Sequence, residues 1–248
     1  MFAIGRRSEP GLTVLVVAQA VALFCFGPLF AGVGVPRVAA VAFGIAVAVL
    51  TVCIVLAVVW HNRLAVAAVV ASTGLELAAI ALRLLRPSGL TEILDFVAAL
   101  LLFTALTVVL ATVVFGPGRV TVHRILGAIA IYLNMAFAFA LGYRLIAAVA
   151  AGAFSARIVP PLDHCLFDFV YFSLTTLTTS GYGDIVPVVP LARSLANLEA
   201  VIGQLFPATV LARLVTLELE ATRGRRSRRR HSPAARRPSA RRPKQPAL

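Results

Sequence analysis

Apolar residues run along this chain in blocks of about 19 to 29, broken by short polar or turn-forming stretches. Six such runs stand out, at about Leu12–Val33, Val38–Trp60, Leu64–Leu82, Ile93–Phe115, Val122–Ala150 and Leu195–Leu219. At 1.5 Å rise per residue, each is long enough as a helix to cross a hydrocarbon layer of ~30 Å. The breaks carry helix-ending residues: Gly34-Val35-Pro36-Arg37, His61-Asn62-Arg63, Arg86-Pro87-Ser88-Gly89 and Gly116-Pro117-Gly118-Arg119. Backbone N–H and C=O groups cannot stay unpaired in lipid, so runs this long are helices. The pattern therefore predicts an all-α membrane protein with six transmembrane helices. Arg6 and Arg7 precede the first run as in a signal peptide. The run continues past Phe24, Phe26 and Phe30, beyond the usual apolar core of roughly 7–15 residues, so it reads as a retained span.

Composition agrees. Hydrophobic residues make up 60% of the 248, charged residues only 13%, and the mean hydropathy is +0.95. Soluble domains are about half apolar and a quarter charged, which excludes a soluble enzyme with a polar tail. The net charge of +13 misleads, because the ten Arg and one Lys beyond Glu220 supply most of it with no acid among them. Arg6, Arg7, Arg63, Arg119 and Arg124 fall on one side of the predicted spans. Arg37, Arg83, Arg86 and Arg157 fall on the other. The basic tail breaks that near-tie and places both termini in the cytoplasm of a plasma or inner cell membrane. Cys25, Cys53 and Cys165 have neither zinc-site nor disulfide-framework spacing.

The chemistry lies between the fifth and sixth runs. Residues 163–187 read DHCLFDFVYFSLTTLTTSGYGDIVP, too short for a helical crossing and return. The spacing predicts a short amphipathic helix over about Asp163–Thr178, with Asp163 as N-cap. An irregular stretch follows, Thr179-Ser180-Gly181-Tyr182-Gly183-Asp184.

This segment resembles the pore loop of potassium channels, whose filter reads Thr-Val-Gly-Tyr-Gly-Asp. Tyr171-Phe172-Ser173 before the loop, the paired threonines, Gly-Tyr-Gly-Asp and Pro187 carry the resemblance. It covers about Val122–Glu220, whereas the first four spans match the family only in number. The resemblance implies a re-entrant pore helix and a selectivity-filter loop between helices five and six. Carbonyls of Thr179, Ser180, Gly181, Tyr182 and Gly183 would replace the hydration shell of K+, the permeant ion. No cofactor is implied. Gly181 and Gly183 supply positive φ at little cost, the Thr179 hydroxyl adds an oxygen at the inner mouth, and Tyr182 braces the loop from outside. One loop is a quarter of such a cage, so the resemblance implies a homotetramer.

Ser180 departs from the family's Val or Ile and puts the degree of potassium preference in question. Its side chain is expected behind the filter. Asp184 belongs at the outer mouth, where four carboxylates gather cations. It is equally a turn residue held from behind, with Tyr171 as the best-placed hydroxyl partner. Thr175 stands where some relatives carry an acid. Gly203, 21 residues after Tyr182, matches the family's inner-helix glycine. With Pro207, which removes the helix bond to its carbonyl, it forms a candidate gating hinge, the alternative being tight packing. Glu199 is expected behind the pore helix near Thr175 or Thr176, or facing the ion. Arg213 is expected to snorkel to the cytoplasmic surface.

Six spans with a pore after the fifth suggest a voltage-gated layout. From Thr91 to Phe115, however, there is no Lys or Arg, and Glu92 and Asp95 lie at the start of that stretch. An orthodox voltage sensor is therefore not expected. In span three, Glu76 with Arg83 nearly two turns on reads as a buried ion pair or hydrogen-bonded acid, with proton sensing as the alternative.

Three regions follow: a four-helix membrane domain over 1–118, a pore domain over 119–220, and a disordered polybasic tail over 221–248 facing anionic headgroups. Nucleic acid is not an expected partner. The leading function is a potassium-selective channel, not an enzyme. The alternatives are a weakly selective cation channel and, from another class, a subunit of a potassium transporter.

Overall fold

The computed structural model describes residues 9–21, 49, 51–53, 55–56, 62–116, 121–156 and 166–230. Its elements are α1 (Glu9–Val21), α2 (Arg63–Leu85), α3 (Gly89–Val114), α4 (Val122–Val149), β1 (Phe154–Ala156), α5 (Leu166–Leu177), β2 (Ile185–Pro187) and α6 (Pro190–Arg230). Among the described residues, four helices are long and apolar enough to cross a membrane: Arg63–Leu85, Gly89–Val114, Val122–Val149 and Pro190–Arg213. These correspond to runs three to six. The later part of run one and most of run two lie outside the described residues, as does Asp163.

Local chemistry sets the boundaries. Asn62 caps α2 by accepting from Ala65 N. Ser88 and Thr91 form a reciprocal capping box at the start of α3, where Pro87 ends the preceding turn. α6 begins on Pro190, five residues before the predicted run, because proline's fixed φ suits a first helical position.

At its far end α6 stays helical to Arg230, ten residues into the segment expected to be disordered. Leu, Glu, Ala and Arg are good helix formers, and the first proline after the membrane is Pro233. The helix propagates from the span without a stop signal.

α4 is the central element, packed against α1, α3, α5 and α6. One apolar core joins Leu12 and Leu15 of α1, Leu106 and Leu110 of α3 and Ile131 of α4, all essentially inaccessible. A second core joins Tyr143 of α4 to Phe169, Val170 and Phe172 of α5 and to Ile185 of β2. Polar pairs pin the register between helices. Gln19 donates to Asn134 Oδ1 at 2.8 Å, and Thr13 lies 2.7 Å from His123 Nδ1. In an apolar surrounding such bonds hold helices together.

The charges of α2 and α3 pair differently from the sequence expectation. Arg83 binds Asp95 at 2.6 Å across the α2–α3 turn, while Glu76 keeps a buried oxygen without a hydrogen bond. Seven residues along one helix is about 10 Å, so the acid across the turn is nearer. Arg144 of α4 binds Glu92 at 2.9 Å and lies over the Phe96 ring at 4.6 Å.

A two-stranded antiparallel ribbon, absent from the all-α reading, pairs Phe154 with Pro187, Ser155 with Val186 and Ala156 with Ile185. Val188 N donates to Ala153 O at 2.8 Å and extends it. The ribbon ties the exit of α4 to the chain leaving the 179–184 loop.

Candidate functional site

α5 buries Phe169, Val170, Phe172, Ser173 and Leu177 against α4 and α6. Its last carbonyls are all occupied. Leu174 O accepts from Thr178 N, and Thr176 O from Thr179 N. Thr175 O accepts from Ser180 N at 2.8 Å and Gly181 N at 3.2 Å. Leu177 O accepts from the Tyr132 hydroxyl of α4 at 2.9 Å. The helix end that a chain usually leaves to water is here closed by the loop itself.

Beyond that closure the backbone alternates. Thr179, Gly181 and Gly183 have φ of 57°, 52° and 75°. The two glycines take this conformation freely. Thr179 is the one non-glycine residue at positive φ among the described residues, and a Cβ there costs roughly 1–2 kcal/mol. Its hydroxyl accepts from Gln204 Nε2 of α6 at 2.8 Å. Residues 178–183 are all exposed in the single chain. Ser180 Oγ lies 3.0 Å from the Thr178 hydroxyl.

Tyr182 is 74% exposed and stacks on Tyr171 of α5, ring centroids 6.4 Å apart and planes within 4°. The neighbouring Asp184 carboxylate is the main reason the Tyr171 phenol is pushed up to about 12. Asp184 accepts from Ile185 N at 3.0 Å. The aspartate is thus held as a turn residue at the loop's exit.

Behind α5 sits Glu199, fully buried. Tyr143 donates to its Oε2 at 2.6 Å, and Ser173 Oγ touches its Oε1. Ser173 Oγ also lies 2.8 Å from Ala136 O. Glu199 therefore packs behind the short helix, as one of its two expected placements had it, but against Ser173 rather than Thr175 or Thr176. A lone acid in an apolar span signals that donors must exist. Ser173, Tyr143, Tyr132 and Gln204, all missed from the sequence, carry no such signal because their partners lie 25 to 56 residues away.

Gly203 is the point of closest approach between α5 and α6. A Cβ there would lie 1.9 Å from Leu177 O, so tight packing accounts for this glycine. α6 passes through Gly203 and Pro207 as one helix. Arg213 donates to Phe115 O, the C-cap of α3, and lies over the Phe115 ring at 5.8 Å. Arg124 of α4 donates to Gly116 O at 2.8 Å. Two cations therefore meet the carbonyl end of α3, where the helix dipole favours them.

Residues 144–219 match a family model described as an ion channel, a two-transmembrane-helix pore-type domain of potassium channels. The match opens within α4 and takes in the ribbon, α5, the loop and the membrane part of α6. No curated protein matches the chain.

Proposed function

We propose that this membrane protein, whose residues 144–219 match an ion-channel family model, conducts K+ passively through a homotetrameric pore. The 179–184 loops of four chains line that pore. α5 is its re-entrant pore helix, and six spans surround it with both termini cytoplasmic. A cation entering lipid loses hydration that only a dense set of oxygens can replace. The observation that carries the reading is the alternation of positive φ at Thr179, Gly181 and Gly183 in a stretch left exposed by one chain. Such a backbone turns successive carbonyls toward one side, and three more copies would enclose them. Asp184 would gather cations at the outer mouth.

Pro207 lacks the N–H that would bind Gly203 O, which supports a bending point in α6 below the packed contact at Gly203. The six arginines between Thr222 and Arg230 extend this helix toward anionic headgroups, each worth ~1 kcal/mol close to the surface.

A weakly selective cation pore is the second reading, favoured by Ser180, a small polar residue where the family carries Val or Ile. Bi-ionic reversal potentials of purified protein in bilayers, K+ against Na+, separate the two. A strong K+ preference that survives Ser180→Val and is lost with all flux in Gly181→Ala supports the potassium channel. Normal K+ flux in Gly181→Ala would remove this loop from the ion path.

A further inference from the structure

Gly203 and Gln204 are consecutive on α6, and both touch the end of the pore helix. Gly203 lets the α6 backbone lie against Leu177 O, where a Cβ would come within 1.9 Å. That contact sets the register of α6 against α5. One residue on, Gln204 Nε2 reaches the hydroxyl of Thr179, two residues beyond Leu177. Thr179 is also the β-branched residue held at φ 57°, a conformation such residues rarely adopt. A strained backbone and a side-chain hydrogen bond from a different helix therefore meet at the first residue of the loop.

We propose that Gln204 is a selectivity-setting residue that positions the Thr179 hydroxyl for the ion. The inference rests on the loop being the ion path. A hydroxyl has one hydrogen and two lone pairs. The Gln204 N–H takes one lone pair and leaves the other to a cation. It also fixes the rotamer, so that four hydroxyls present their oxygens in the same orientation. The positive end of the amide dipole lies next to each oxygen and weakens its field. A weaker-field oxygen discriminates in favour of the larger, less strongly hydrated cation, and Gln204 thereby favours K+ over Na+. The Gln204 side chain acts through Thr179 and is itself a positioning group.

The test is a double-mutant cycle in reconstituted channels, with native mass spectrometry confirming assembly of each variant. Gln204→Leu keeps similar bulk and removes the bond. It lowers the K+/Na+ permeability ratio by at least about fivefold, the worth of one ordinary hydrogen bond. In a Thr179→Val background, where the β-branch remains and the hydroxyl is gone, the same change has little further effect. Should Gln204→Leu not assemble, Gln204→Asn, one carbon too short to reach, carries the same expectation. A Gln204→Leu channel with wild-type selectivity overturns the proposal. So do effects of the two substitutions that simply multiply. A wild-type protein that conducts no cation at all overturns the pore reading itself, and is distinguished by failing before any variant is compared.

Discussion

Tyr171 and Asp184 are electrostatically linked at the exit of the loop. The phenol stays neutral beside the carboxylate, because losing its proton would set two negative charges near each other. The folded value of about 12 lies above the ordinary ~10. The contribution of this pairing is thus fully present below pH 10 and is lost as pH rises through 12. An ultraviolet titration of wild type minus Tyr171→Phe should show one tyrosine titrating near 12. In Asp184→Asn the same phenol should titrate lower. An unchanged titration in Asp184→Asn would mean that the carboxylate does not hold it. Glu199 is the buried counterpart of this pair. Its need for donors was readable from an acid in an apolar run, but the identity of those donors was not, because Tyr143 and Ser173 come to it from two other helices.

Gly203→Ala would drive a methyl group into a backbone carbonyl that cannot rotate away. Parting α5 from α6 should cost roughly 1–3 kcal/mol, as overpacking does, and should lower the thermal midpoint of the purified protein. A stable Gly203→Ala protein would show that the two helices do not meet so closely. α3 contains no Lys or Arg from Thr91 to Phe115, so the membrane field, worth ~2.3 kcal/mol per charge per 100 mV, has no cation to move there. Open probability should depend only shallowly on voltage, and a steep dependence would place a sensor elsewhere. Runs three to six were legible as hydropathy alone, and the loop as a motif with two glycines at fixed spacing. The β1–β2 ribbon was not legible, since three-residue strands carry too little period to register. Nor was the helical start of the basic tail, where charge composition argued for disorder and the preceding helix overrode it. Thr179 at positive φ runs against its own preference, and only its neighbours on α5 and α6 explain it.

At the scale of the whole molecule, the exposed residues 178–183 and the outward apolar face of α6, with Leu191, Leu198 and Leu205 each more than half exposed, leave one chain incomplete. Native mass measurement in mild detergent should give a four-chain species, and a monomer under those conditions would argue against the pore. The clamp at the end of α3 has a further consequence. Arg124 and Arg213 belong to the stretch that would form a pore by itself, yet both bind carbonyls of residues before 117. α4 also lends Ile131 to a core shared with α1 and α3. A chain severed at 118 would take from Arg124 and Arg213 the carbonyls they bind and uncover one side of α4. The first helices are therefore not a detachable accessory to the conducting half. They form part of the scaffold on which it folds, and attempts to trim this protein to a minimal conductor will have to redesign that seam.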